Sequence, residues 1–260
     1  KAGETMRAVE TLQEMKVAGV TPDVATYNAV ISACAKALRA DLAVSLINEM
    51  RLTGLNPNVI SFNAAISACD KTGQVDLALS LMEVMQIMGV TPDVITYSTA
   101  TSACQHVGQW QPALSLLEEM KIQGVTPNLI SFNTVIAACE KGEQWQYLVP
   151  LLKQMLEAGV MPNEYSFAAA MLAITKAGEL DKGFQLLHFF EAGVRTGAFS
   201  AEDGYPLYRF LYNACSDAGD ERADTVLGAV AQRGFFPEQT ERVSLSRELL
   251  SVYSLADPDT

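Results

Sequence analysis

Tyr27, Val30, Ile31 and Cys34 stand at the i, i+3, i+4, i+7 spacing of one helix face, and Ala43, Leu46, Ile47 and Met50 repeat that spacing after a polar break. The pattern predicts two short amphipathic helices in succession. Punctuation comes after Met50. Gly54 can take the left-handed conformation that ends a helix, Pro57 cannot continue one, and Asn58 has the short polar side chain that caps the next.

The unit recurs. "GVTPDVATYNAVISAC", "GLNPNVISFNAAISAC", "GVTPDVITYSTATSAC" and "GVTPNLISFNTVIAAC" begin at Gly19, Gly54, Gly89 and Gly124, each 35 residues after the last. A weaker copy, "GVMPNEYSFAAAMLAI", begins at Gly159, and Asp23, Asn58, Asp93, Asn128 and Asn163 fill the capping position. A hairpin of this size cannot hide its own apolar face, so neighbours must stack. The expected fold is all-α, an α-solenoid (superhelix) of helix-turn-helix repeats.

The register sets the expected organisation. Residues 1–23 read as a partial N-terminal repeat, a second helix without its first, and 24–163 as four regular 35-residue repeats. Residues 164–238 read as two degenerate repeats with an insertion near 194–207, where "EAGVRTGAFSAEDGYP" lacks the Pro-Asp/Asn step and Tyr208 to Cys215 resumes the pattern. Residues 239–260 read as a C-terminal capping helix and tail, with Val243, Leu245, Leu249 and Val252 near one face. Pro150 falls where other repeats carry Ser45, Ser80 and Ser115, inside a second helix that a proline there would kink.

Composition narrows the chemistry. With 260 residues, 49% hydrophobic and 18% charged, the chain can bury a sizeable core. Charge, Gly or Pro interrupts every apolar stretch before the roughly 18 residues of a membrane span, so no membrane insertion is expected. Cys34, Cys69, Cys104 and Cys139 recur one repeat apart, which is neither metal-ligand spacing nor a secreted disulfide framework. They read as small packing residues, as does Cys215, and Met15, Met50, Met85, Met120 and Met155 read as core. Trp110 and Trp145 open second helices and are expected to pack between hairpins. His106 and His188 are the only histidines, and neither has a nucleophile or carboxylate at recognisable spacing. There is no glycine-rich phosphate loop and no nuclease or deaminase signature, so catalysis, a metal and a cofactor are not expected.

The 35-residue unit, "TYNAVISACAK" and "GVTPDV" resemble the pentatricopeptide-repeat family, closely over residues 4 to about 193 and loosely beyond. The related tetratricopeptide repeats have a shorter period and lack the TYN and PDV signatures. The resemblance implies an α-solenoid that binds single-stranded RNA, one base per repeat, in a chloroplast or mitochondrion. The chain opens at Lys1 without a charged-apolar-cleavage pattern, so any targeting segment is removed or lies outside it.

By the family's pattern a unit runs from Val24 to Asn58, and its fifth and last residues read a base. The resemblance thus nominates Asn28 with Asn58, Asn63 with Asp93, Ser98 with Asn128, and Asn133 with Asn163. A carboxylate such as Asp93 can take the N3–H donor of uracil, whereas an amide, which donates and accepts, suits cytosine. The family's pairing rules then imply 5′-pyrimidine-U-A-pyrimidine-3′. Ile60, Ile95 and Ile130 fall at the second position, where family members sandwich bases; Ala25 is smaller there and Tyr165 departs from the pattern. Lys36, Lys71, Lys141 and Lys176 recur at the thirteenth position, with His106 completing the row, as candidates to neutralise phosphates.

Plainer readings stand beside these. Capping alone explains Asp or Asn before a helix, and inherited repeats copy surface lysines too. The formal charge of −12 repels polyanions. Two functions therefore remain open: sequence-selective binding of single-stranded RNA, and a protein-protein scaffold in a larger organellar complex, its subunits contacted through the acidic surface.

Overall fold

The computed structural model describes residues 2–232. They form helices, and no strand occurs among them. The chain divides into two compact units, residues 1–142 and 143–260.

The first unit holds α1 (Ala2–Val17), α2 (Val24–Lys36), α3 (Ala40–Leu52), α4 (Val59–Thr72), α5 (Val75–Ile87), α6 (Val94–Val107), α7 (Trp110–Ile122) and α8 (Leu129–Lys141). The first helices of the hairpins, α2, α4, α6 and α8, stack side by side, and each of α3, α5 and α7 packs against its own first helix and the next one. This unit is a solenoid of helical hairpins.

Local chemistry sets each corner. Gly19, Gly54, Gly89 and Gly124 lie at φ of 72–77°, the left-handed region that a Cβ disfavours. That turn lets the next residue donate back into the helix, as Leu55 N does to Met50 O at 2.9 Å and Val125 N to Met120 O at 2.9 Å. The capping residue then takes over. Asn58, Asp93 and Asn128 each accept from the backbone N–H three residues on, and Ser61, Thr96 and Ser131 return the bond to the cap's own N–H. Asp23 accepts from Thr26 in the same way.

Packing between hairpins is apolar and periodic. Tyr27, Phe62, Tyr97 and Phe132 are fully buried, as are Cys34, Cys69, Cys104, Cys139, Met50, Met85 and Met120. Each large side chain removed from water contributes about 1.5–3 kcal/mol. Met15 is half-buried at the open end of the row. The buried cysteines are free thiols, and burial pushes Cys69 and Cys104 to about 11, which suits packing rather than reactivity. Trp110 packs against Gly142, its Cδ1 2.7 Å from where a Cβ would stand.

The aromatic row alternates, and its partners alternate with it. Tyr27 donates to Glu49 at 2.7 Å and Tyr97 to Glu119 at 3.0 Å. Phe62 and Phe132, which have no hydroxyl, are followed at the same offset by Val84 and Gln154. Lys16 bonds Glu49 and Gln86 bonds Glu119, so a polar tie crosses to the preceding second helix wherever a tyrosine needs one.

The second unit holds a 3-10 turn (Trp145–Tyr147), α9 (Leu148–Glu157), α10 (Glu164–Lys176), α11 (Leu180–Arg195), a second 3-10 turn (Ala201–Gly204), α12 (Tyr205–Ala218) and α13 (Arg222–Gln232). Here α10 stacks on α12 and α11 packs against both. The proline expected to kink a helix does not. Pro150 is the third residue of α9, in the first turn, where a backbone N–H has no partner within the helix. The insertion after α11 is a plug. Phe199 is buried with its ring 5.0 Å from Phe167, 5.8 Å from Phe189 and 5.9 Å from Phe190. The terminal helix expected over 239–260 lies outside the described residues.

Candidate nucleic-acid interface

The residues nominated as base readers belong to two kinds of local structure. Asn58, Asp93, Asn128 and Asn163 are caps, held at the entrance of α4, α6, α8 and α10. Asn28, Asn63, Ser98 and Asn133 sit one turn inside α2, α4, α6 and α8. Within the first unit, because consecutive first helices stack, the fifth residue of one lies beside the cap of the next.

The contacts are direct in the first two repeats. Asn28 Nδ2 donates to Asn58 Oδ1 at 3.3 Å, and Asn63 Nδ2 to Asp93 Oδ1 at 3.2 Å. A hydroxyl closes each triangle: Ser61 donates to Asn28 Oδ1 at 2.5 Å, and Thr96 to Asn63 Oδ1 at 2.6 Å. In the third repeat Ser98 is too short to reach its cap. Its Oγ lies 3.3 Å from Ser131 Oγ, which donates in turn to Asn128 Oδ1 at 3.1 Å. Asn133 lies in the first unit and Asn163 in the second, where Asn163 caps α10 through Ser166.

The hydroxyls at Ser61, Thr96 and Ser131 were not among the residues singled out from sequence. They are buried, and each is the third residue of its helix, a place that Thr26 and Ser166 fill in the neighbouring repeats. That capping-box spacing was the available signal.

Asp93 carries the one carboxylate among the residues nominated as readers in the four repeats. Burial opposes its ionisation, but the backbone N–H and hydroxyl of Thr96 and the Asn63 amide outweigh it and hold the acid below its ordinary value. All three donors reach Oδ1. Asp93 is therefore an anion at neutral pH with Oδ2 outside this set of bonds.

Ile60, Ile95 and Ile130 stand out from the same edge, 64%, 63% and 64% exposed. Periodic exposure alone does not mark a base sandwich, because Val17, Leu52, Ile87 and Ile122 form another exposed row at the far ends of the second helices. What separates the isoleucines is their place in the first turn of α4, α6 and α8, between the cap and the fifth residue, both of which are nominated readers.

Lys36, Lys71, Lys141 and Lys176 are exposed at the last residues of their helices or next to them. Eight residues separate Asn28 from Lys36, so the lysine row runs about 12 Å along the axis from the readers. It is not purely basic. Lys141 Nζ donates to the His106 carbonyl, and His106 Nε2 lies 3.3 Å from Asp70 Oδ1. Lysines at helix C-termini also satisfy the helix dipole.

A family model for the pentatricopeptide repeat domain matches residues 1–37, 10–72 and 80–142, and a PPR repeat model matches 60–90. The chain belongs to the pentatricopeptide-repeat family. No curated protein matches it in sequence. Among solved structures, the maize pentatricopeptide repeat protein PPR10 matches with a TM-score of 0.63 at 26% identity, covering 90% of this chain and 33% of that one. The PPR domain of Arabidopsis thaliana protein-only RNase P 1, solved in complex with tRNA, matches at 0.56 and 18% identity over 69% of this chain and 94% of that domain. Nuclear proteinaceous RNase P 2 of A. thaliana matches at 0.59 and 17% identity, over 73% and 41%. This pentatricopeptide-repeat chain thus spans one third of the length of maize PPR10, and its likeness to the RNase P proteins is one of fold.

Proposed function

We propose that the chain binds single-stranded RNA along the capped edge of its regular repeats, one base per repeat, in organellar RNA metabolism. The observation that carries this reading is the meeting of fifth and last residues: pairs far apart in sequence share hydrogen bonds beside an exposed isoleucine. Asp93 Oδ2 takes the N3–H of uracil. The paired amides of Asn28 with Asn58 accept either pyrimidine, as Asn133 and Asn163 are expected to by the family's pattern, and Ser98 with Asn128 takes adenine. The expected target is 5′-pyrimidine-U-A-pyrimidine-3′. Ile60, Ile95 and Ile130 flank the bases, while Lys36, Lys71, Lys141 and Lys176 offset phosphate charge. The reading assigns the chain recognition rather than catalysis, and a chloroplast or mitochondrion as its place of action.

A fluorescence-anisotropy titration at low salt with a short RNA of this sequence tests it. Preference over a purine-scrambled RNA, eroded steeply by added salt, supports the reading; equal affinity for both sinks the code. The net charge of −12 favours a second reading, in which the chain is a scaffold subunit with little RNA affinity. Co-purification from native extract with a protein subunit, and no RNA titration, would select it.

A further inference from the structure

The fourth repeat departs from its neighbours in one respect that the RNA reading does not use. Where α3, α5 and α7 begin directly at Ala40, Val75 and Trp110, the corresponding segment opens as a 3-10 turn and α9 starts three residues late, at Leu148. A 3-10 turn is narrower than an α-turn, and Pro150 has no N–H to draw a neighbour in. Beside this turn, between α9 and α11, lies an open cavity of about 350 Å³ lined by Trp145, Val149, Pro150, Lys153, Lys182 and Phe189, with Gln146 and Gln185 at its margin. That volume is at the lower end for small-ligand sites.

Its chemistry is selective. The walls are aromatic and aliphatic, and the charged groups are two lysines with no carboxylate among the lining residues. This stands against a background of 9 Lys and Arg to 17 Asp and Glu over residues 143–260. The Lys182 ammonium donates to Gln185 Oε1 at 3.3 Å, a neutral partner. No base-reading residue lines the cavity, which is walled by second-helix segments.

We propose that this cavity is a docking site for an acidic-aromatic peptide segment of a protein partner. The aromatic side chain lies against Trp145 and Phe189, and flanking carboxylates meet Lys153 and Lys182. Charge decides between peptide and nucleic acid. One or two carboxylates are matched by the lysines, whereas a strand of many phosphates is repelled by the acidic surroundings.

The test uses the full chain carrying Trp110→Phe, which leaves Trp145 as the single tryptophan reporter. Acetyl-Asp-Phe-Asp-amide should change its fluorescence saturably, and the neutral acetyl-Asn-Phe-Asn-amide should bind at least about five-fold more weakly. Lys153→Glu together with Lys182→Glu should weaken the acidic peptide at least about ten-fold with helix content unchanged. The base preference of the regular repeats should not change with those reversals, whatever the added negative charge does to RNA affinity overall, so the two readings fail separately. No saturable response to the acidic peptide, equal binding of the neutral one, insensitivity to the charge reversals, or tighter binding of uridine 5′-monophosphate would each overturn the proposal.

Discussion

The Asn63 amide donates to Asp93 Oδ1 across 3.2 Å although 30 residues separate the two in sequence. Asn63 belongs to α4 and Asp93 caps α6, so the bond spans two hairpins and is fixed by their stacking. Under the proposed reading, a base arriving at this pair meets groups already in place, which lowers the ordering cost of binding.

Asn63 and Asp93 should therefore behave as one unit. Asn63→Ala and Asp93→Ala are each expected to cost about ten-fold in affinity for RNA with uracil at the second base, and the double variant little more than either. Discrimination at the other bases should be unchanged. Lys71→Ala should instead weaken every RNA alike and lessen the salt dependence by less than one counterion. Titrations across RNA sequences and salt concentrations separate the two; base-selective loss from the lysine change would contradict the split.

The Asp93 bonds also predict a pH dependence. Its acid is held below the ordinary aspartate value of 3.8, so the charged form stabilises the fold. That contribution is complete above the unfolded value and disappears as pH falls through the folded one. The stability difference between the native chain and Asp93→Asn, which keeps a capping side chain, should be constant above about pH 5 and shrink below about pH 4. Urea unfolding at a series of pH values reads it.

Much of this was legible because its causes are local. The glycine turns, the caps at Asn58 and Asp93 and the buried Cys and Met rows each depend on residues a few positions apart. The pairing of fifth with last residues comes from the family's pattern rather than from local chemistry, and stacking does bring Asn28 to Asn58 and Asn63 to Asp93. What escaped was long-range or exceptional. Ser61 carries a capping-box signal only toward its own helix, and it is stacking that brings its hydroxyl to Asn28. Nothing in the sequence near Glu49 announces its bonds to Tyr27 and Lys16, which come from two other helices. Phe199 broke the register and so carried no periodic signal, although it fills a cluster of three other phenylalanines.

Leu38 offers a stabilising change. It ends the first hairpin helix at φ 60°, where Gly73, Gly108 and Gly178 stand in other repeats. The left-handed conformation costs a Leu about 1–2 kcal/mol, and its side chain is largely exposed. Leu38→Gly should raise stability by about 1 kcal/mol, less the added freedom of the unfolded chain. A higher urea midpoint with an unchanged slope would show it.

The Phe199 plug should be sensitive from both sides. Phe199→Ala empties the space between Phe167 and Phe190 and is expected to cost about 3 kcal/mol. Gly193→Ala places a Cβ 2.0 Å from Phe199 Cδ2, a distance that forces the ring out. Combining the two should cost less than their sum, because the alanine at 199 removes the clash. Additive losses in denaturant midpoints would mean that the glycine serves another purpose.

Ser98 tests the reader position by gain rather than loss. Its hydroxyl stops at Ser131, one link short of Asn128, whereas Asn28 reaches Asn58 directly. Ser98→Asn supplies the missing amide in a helix whose neighbours α2, α4 and α8 already carry asparagine at the matching place. The introduced amide then donates to Asn128 Oδ1, and the third repeat acquires the paired amides that suit a pyrimidine. Affinity should shift by about ten-fold from RNA with adenine at the third base to RNA with cytosine or uracil there, at similar stability. If adenine preference persists while the variant folds normally, the fifth position does not read the base, and the caps serve only to start their helices.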